Sequence, residues 1–394
     1  MEDNKSIRLE HDLLGQRELP ADVLYGIQTL RGVENFHISR FRLDQYPLFI
    51  NGLAYTKWAA AEANHQLGLL TDAQYKGIQA ACKAIIAGKH HDQFPVDMIQ
   101  GGAGTSTNMN ANEVIANLAL IEMGHRPGEY EYCSSHDHVN RSQSTNDAYP
   151  TAIHMGLYAS HQALLPHLKE LIAALRDKAE AFAHIVKMGR TQLEDAVPMT
   201  LGQTFGGFAS ILENELQHLE EAAADFLTVN MGATAIGTGI CSEPGYAEKT
   251  VEALARITGW HVVLATDWVG ATSDTSCMVG YMSALKRVAV KMSKISNDLR
   301  LLASGPRCGL GEINLPARQP GSSIMPGKVN PVIPEVISQV AFKVIGNELC
   351  VTMAGEASQM ELNAMEPVMA QCCFESIDPV SYTHLRAHET RSNL

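Results

Sequence analysis

The chain has 394 residues, of which 45% are hydrophobic and 19% charged. That length predicts two to three domains at about 150 residues each, and the composition is rich enough to bury a large core, which excludes disorder as the general state. The 30 Lys+Arg against 43 Asp+Glu leave a formal charge of −13. Nucleic-acid binders draw most of their affinity from cationic side chains neutralising phosphates, so a field of this sign excludes that class. A local cluster could still hold a small anion.

Residues 1–10 are too charged for a secretory signal, and no uninterrupted apolar run approaches the ~18 residues of a membrane span. The eight cysteines (82, 133, 241, 277, 308, 350, 372 and 373) include no Cys-x-x-Cys pair. They read as the reduced, mostly buried cysteines of a cytoplasmic protein.

Helical periodicity dominates the middle of the chain. Leu164, Leu168, Leu171, Leu175, Ala179, Phe182 and Val186 recur in steps of three and four, which predicts one long helix over 164–186. Leu201, Phe205, Phe208, Leu212, Leu216, Leu219, Ala223 and Phe226 draw a second stripe. Leu285, Val288, Met292, Ile295, Leu299 and Leu302 draw a third, and a fourth starts at Pro334 and continues through Val336, Val340 and Val344. Strand signals are weak and aromatic residues make up 6%. These features predict an all-α fold, a bundle of long helices packed near parallel.

Segments 101–112, 141–147, 189–195 and 311–331 differ in composition, being rich in Gly, Ser, Thr, Asn and Gln. One such segment reads as a helix linker with N-caps. Several on one bundle point instead to hydrogen-bond donors gathered around a polar ligand. Segment 311–331 is long for a linker inside a domain, and its mix of prolines and glycines suits a loop with an open and a closed position.

Standard motifs fail. Gly321 and Gly327 are separated by five residues where a phosphate loop has four, and Val329 stands where that loop needs Ser or Thr. Gly102-x-Gly104 and Gly237-x-Gly239 lack the third glycine of a dinucleotide fingerprint. His136/His138 and His90/His91 have no partners at zinc-like spacing, and no Gly-x-Ser-x-Gly elbow is present.

Gly321-Ser-Ser-Ile-Met-Pro-Gly-Lys-Val-Asn-Pro331 matches the signature loop of the aspartase/fumarase superfamily. Its members eliminate an amine or hydroxyl from succinyl-type compounds to give fumarate. The blocks Tyr25-Gly-Ile-Gln-Thr-Leu-Arg-Gly-Val-Glu-Asn-Phe36, Gly101-Gly-Ala-Gly-Thr-Ser-Thr-Asn-Met-Asn110, Gln143-Ser-Thr-Asn-Asp147, Lys187-Met-Gly-Arg-Thr-Gln192 and Gly232-Ala-Thr-Ala-Ile-Gly-Thr-Gly239 also resemble that family. Within it they are most similar to the ammonia-lyases that act on aspartate. Three details separate this chain from the fumarases: Thr191-Gln192 in place of Thr-His, Ser144-Thr145-Asn146 in place of Ser-Ser-Asn, and Ser134-Ser-His-Asp-His138 in place of His-Pro-Asn-Asp-Asp. The last also departs from the usual aspartase pattern.

The resemblance implies a carbon–nitrogen lyase forming fumarate from L-aspartate, with a class II fumarase acting on L-malate, or an inactive helical scaffold, as the alternatives. It implies Ser322 as the base, Lys328 and Asn330 on the α-carboxylate, and Ser144, Thr145 and Ser323 on the β-carboxylate. Thr105 and Asn146 would contact the amino group, with Thr191 and Gln192 lining the pocket. Arg31 would be structural or supporting. Family members are homotetramers with a twenty-helix core, and each active site draws on three subunits. No organic cofactor is implied; magnesium activates some members, but no ligand set for it is visible. The resemblance divides the chain into an N-terminal helical domain (1–143) and a long-helix bundle (144–380) carrying loop 321–331. It fades near Pro379, so 381–394 reads as a foreign tail standing where the family has a C-terminal domain.

Overall fold

The computed structural model describes residues 7–388, with side chains described for 7–380. The N-terminal six residues, and the side chains of the expected foreign tail at 381–394, lie outside the described residues.

The elements in chain order are β1 (Ile7–Asp12), β2 (Gly15–Pro20), α1 (Ile27–Asn35), α2 (Pro47–Gln66), α3 (Asp72–Ile86), α4 (Thr105–Glu122) and α5 (Thr145–Ala181). There follow β3 (Val186–Thr191), β4 (Glu194–Thr200), α6 (Leu201–Ala224), β5 (Thr228–Val229), α7 (Tyr246–Thr258), β6 (Val263–Leu264), α8 (Trp268–Ser273), α9 (Ser276–Leu302), α10 (Val332–Glu356) and α11 (Glu366–His388). The strands form three two-stranded ribbons, β1–β2 and β3–β4 antiparallel and β5–β6 parallel. The all-α class therefore holds, with ribbons as trim.

The chain divides into two compact units. One comprises Met1–Ala159, Ala224–Met278 and Cys350–Phe374; the other comprises Ser160–Ala223, Val279–Leu349 and Glu375–Leu394. In the first unit, alanines on α2 (Ala59, Ala60, Ala63) pack with Tyr246, Val251 and Leu254 of α7 and with Ala148 and Met155 of α5. Small side chains let helix axes approach closely. A Cβ on Gly52 would lie 2.2 Å from the carbonyl oxygen of Ala152, and one on Gly156 would lie 3.0 Å from the Cα of Phe49. Only glycine fits this crossing of α2 and α5. Phe374 caps it by stacking on Phe49 with ring centroids 5.0 Å apart.

The second unit contains the helices that the four leucine-rich stripes predict. Leu171 and Leu175 of α5, Phe205 and Leu212 of α6, Met292 and Ile295 of α9 and Ile337 of α10 line one apolar cavity. Phe205 also meets Phe182 edge-on at 5.3 Å. The first stripe is shorter than its periodicity suggests, because α5 ends at Ala181 and Val186 stands exposed on β3. Segment 189–195, which reads as a linker, is a hairpin. The pairs Arg190↔Asp195 and Thr191↔Glu194 enclose a two-residue turn in which Gln192 (φ 56°) and Leu193 (φ 68°) are both left-handed. That is the backbone a tight hairpin needs, reached here without glycine or asparagine.

By length and composition α10 is apolar enough to cross a membrane, unlike the expectation from uninterrupted runs. Averaging over a window hides its charges. Lys343 pairs with Glu375 at 3.1 Å, and Glu348 with Lys286 at 2.8 Å. Phe342, Ile345, Leu349 and Met353, spaced by three and four, leave one apolar face of α10 exposed.

Candidate active site

In the first unit the expected site residues sit at helix starts. Thr105 opens α4 after three successive left-handed residues, Gly102, Ala103 and Gly104. A Cβ on Gly104 would lie 2.3 Å from the Tyr149 ring, so glycine is required for the chain to turn over that ring into the helix. The Thr105 hydroxyl donates to the Gly102 carbonyl at 2.8 Å.

Ser144, Thr145 and Asn146 form the start of α5. The Ser144 hydroxyl accepts from the Asn146 amide at 3.1 Å, in the manner of an N-cap. Thr145 Oγ1 accepts from Asn108 Nδ2 at 3.2 Å, which ties this turn to α4 one turn below Thr105. Asn146 Nδ2 donates to the Ala235 carbonyl at 2.8 Å, and its own carbonyl accepts from Asn230 Nδ2 at 3.1 Å.

Two buried ionisable side chains lie beneath this turn. The Asp147 carboxylate accepts the amides of Ser144, Gly232 and Thr234, each at 3.0 Å. It thereby clamps the start of α5 to the 232–239 block. Burial pushes its pKa up to about 6, against the pull of those amides and of Lys57. Lys57 is fully buried on α2, and its Nζ donates to Asn108 Oδ1 (2.6 Å), Gln143 Oε1 (2.8 Å) and Asn140 Oδ1 (3.1 Å). Burial lowers its pKa to about 7, and the Asp147 charge opposes that shift. A lysine with every proton donated to a side-chain carbonyl acts as a rigid spacer under the turn.

In the second unit, Thr191 and Gln192 occupy the exposed tip of the β3–β4 hairpin. Arg190, in the second pair from the turn, is ion-paired with Glu312, so the hairpin is tied to the segment that leads into the signature loop. In that loop Gly321 N donates to the Lys328 carbonyl at 2.9 Å, and Asn330 Nδ2 donates to the Gly321 carbonyl at 3.0 Å. These two bonds close the neck of the loop. Within it the Ser322 hydroxyl accepts two backbone amides, Ile324 N at 3.2 Å and Met325 N at 3.0 Å. Ser323 and Lys328 are exposed, as are the apolar side chains of Ile324, Met325 and Val329 at the tip.

The ten expected residues thus fall into two groups: Thr105 with 144–146 in the first unit, and Thr191, Gln192, Ser322, Ser323, Lys328 and Asn330 in the second. Lys57, Asn108, Asp147 and Asn230 complete the first group and are absent from the expectation. Asn108 and Asp147 lie inside blocks that carry the family resemblance. Lys57 gives one faint signal, a cation within the apolar run Thr56-Lys-Trp-Ala-Ala-Ala61. Arg31 is structural, its guanidinium holding Asp12 of β1 at 2.6 and 2.7 Å.

The chain matches the family model described as Lyase over residues 15–346. It is 58% identical over 373 residues to the aspartate ammonia-lyase of Pseudomonas canavaninivorans, covering 94% of this chain and 79% of that one. Among solved structures it is similar to the fumarate lyase:delta crystallin from Brucella melitensis bound to cobalt, with a TM-score of 0.95 and 51% identity over 98% of this chain and 84% of that one. It is also similar to the recombinant class II fumarase from Schistosoma mansoni, with a TM-score of 0.92 and 31% identity over 98% of this chain and 85% of that one. Signature loop, helical architecture and chain-wide identity agree, and the chain belongs to the aspartase/fumarase family of lyases.

Proposed function

We propose that this lyase eliminates ammonia from L-aspartate to give fumarate. The observation that carries the reading is the identity with aspartate ammonia-lyases, which spans nearly the whole chain, signature loop included.

The reaction removes a proton from the carbon beside the β-carboxylate and then breaks the carbon–nitrogen bond. The carbanion delocalises into a carboxylate that is already negative, so the dianionic intermediate needs dense donors. In this reading Ser322, as an alkoxide, takes the proton. Its two backbone amides support that role, because hydrogen bonds to an oxyanion are about twice as strong as those to a neutral hydroxyl. Ser144, Thr145 and Ser323 hold the β-carboxylate where charge accumulates. Lys328 and Asn330 take the α-carboxylate, Thr105 and Asn146 contact the amine, and Thr191 and Gln192 line the pocket. Gln192 does not titrate near neutral pH and moves no proton. The electron pair of the broken C–H bond becomes the new double bond, and the protonated amine takes the C–N bonding pair and leaves as ammonia, which picks up a proton from water to become ammonium.

No organic cofactor takes part in this scheme. Among the described residues no three His, Cys, Asp or Glu side chains cluster to hold a divalent cation such as magnesium, and no step is routed through one. The working form in this reading is a cytoplasmic homotetramer with each site shared among three subunits. The exposed apolar face of α10 supports it, since a stripe of that length on a long helix calls for a partner.

The test is fumarate formation, followed by ultraviolet absorbance, with L-aspartate and L-malate offered separately. Fumarate from aspartate alone is expected. Fumarate from malate alone would overturn the reading in favour of a hydratase, and none from either would leave an inactive scaffold.

A further inference from the structure

The first unit holds a cavity of about 320 Å³ that no role above uses. His154 of α5, Asp225, Thr228 and Asn230 line it, as do Asp274, Ser276 and Cys277 at the start of α9 and Glu366 at the start of α11. Asn230 is shared with the proposed reaction site, because its Nδ2 holds the Asn146 carbonyl.

Three carboxyl groups and no lysine or arginine face this space. His154 adds no charge. Its Nδ1 lies 3.0 Å from the Thr228 carbonyl, which can only accept, so the proton sits on Nδ1. Nε2 is then the acceptor, and the Cys277 thiol donates to it at 3.2 Å. Burial pushes the imidazole pKa down to about 4 and the thiol up to about 12, so both are neutral near pH 7.

Glu366 is the group that needs an explanation. The residue is 3% exposed and lines the cavity, yet no hydrogen bond or ion pair reaches its side chain among the described residues. A carboxylate in the first turn of a helix is favoured by the helix dipole, but no backbone amide caps this one. A buried polar group without a protein partner calls for one from water, an ion or a ligand.

We propose that this cavity binds a small ammonium cation, the ammonium ion or a primary amine, with Glu366 as its buried counter-ion. An ammonium group carries several N–H donors, and the carboxylates of Glu366, Asp225 and Asp274 line the cavity as acceptors. A divalent metal fits less well. It needs several ligands converging within 2.0–2.6 Å, and no such group is present among the described residues.

Binding is tied to ionisation. Burial alone raises the Glu366 pKa to about 8, so the carboxyl is mostly protonated at neutral pH when no cation lies beside it. The other titratable groups around it are Tyr149, His154, Asp225, Asp274 and Cys277.

The experiment titrates the full chain with methylammonium chloride, which stays protonated through pH 9, against tetramethylammonium and potassium chloride at equal ionic strength. Affinity is read by calorimetry and by the shift in melting temperature. Methylammonium is expected to bind and raise Tm, with affinity rising roughly tenfold between pH 7 and 9 as Glu366 ionises. Glu366→Gln keeps the shape of the protonated side chain and should abolish the effect. Ala265→Leu, which fills the cavity and spares the carboxyl, should weaken it. Binding that survives Glu366→Gln belongs to the amine position of the proposed reaction site and overturns the inference. An equal effect from tetramethylammonium or potassium chloride, or an affinity flat with pH, overturns it as well. None of these outcomes depends on turnover, so the reaction assay and this one fail separately.

Discussion

Asp147→Asn separates the stability of the fold from the geometry of the carboxylate-binding turn. The Asp147 carboxylate accepts three amides, one on Oδ1 and two on Oδ2. An asparagine keeps the Oδ2 pair if its amide nitrogen turns toward Ser144, and then faces the Ser144 N–H donor to donor. One buried N–H loses its acceptor, at about 1–3 kcal/mol. Against that stands the charge itself. A pKa moved from 3.8 to about 6 means that ionised Asp147 lowers folding stability at neutral pH by about 3 kcal/mol relative to its protonated form. Asparagine removes that penalty, so the two effects nearly cancel and the variant should melt within about 2 kcal/mol of the parent. Turnover should not be spared. Ser144 would lose its anchor at the point where the β-carboxylate is held, and a displacement near 1 Å costs up to about 10²-fold in kcat/KM. Urea denaturation and initial rates of fumarate formation on the same sample provide both numbers. A variant that is unfolded at pH 7.5, or one with kcat/KM within twofold of the parent, would refute this reasoning. The sign of the pH effect is a further check. The folded pKa lies above the unfolded one, so the parent loses this stability as pH rises from about 4 to 6, and the variant does not.

Three more outcomes are expected. Ser322→Ala should lower kcat by roughly 10²–10⁴-fold with an unchanged elution volume on a sizing column; near-normal turnover would remove serine from the role of base. Lys328→Ala should raise KM for aspartate by at least roughly tenfold while the melting temperature holds, because Lys328 is exposed and supports no core contact; an unchanged KM would contradict the carboxylate clamp. Glu366, held near pKa 8 against 4.5 when unfolded, should cost the apo chain stability as pH climbs through that window, by an amount on the order of 5 kcal/mol at pH 9. Denaturant melts in amine-free buffer should show that loss in the parent and not in Glu366→Gln.

The long helices were legible because leucines spaced by three and four residues carry their own periodicity. The stripe at 201–226 runs two residues past the end of α6, and that at 285–302 lies within α9, which starts earlier, at Ser276. The hairpin at 186–200 was not legible. Its turn is Gln192–Leu193, and neither residue favours a left-handed backbone, so no local turn signal marks it. The loop residues could be read from a contiguous motif, whereas the support under Ser144 could not. Lys57 reaches Asn140 across 83 positions and Asp147 reaches Gly232 across 85, and neither contact leaves a trace in local composition. Glu366 was hidden for the opposite reason, since a glutamate at a helix start reads as an ordinary capping residue.

The closed neck of the signature loop has a consequence for how such a segment could engage substrate. Ordering ten loose residues would consume about 10–20 kcal/mol of backbone entropy, more than a small dicarboxylate can return on binding. With Gly321 hydrogen-bonded to Lys328 and Asn330, and Ser322 already holding the amides of Ile324 and Met325, most of that ordering precedes the encounter. Residues 321–330 can then swing as one plate on torsions at their two ends, and closure freezes a few dihedral angles in place of some twenty.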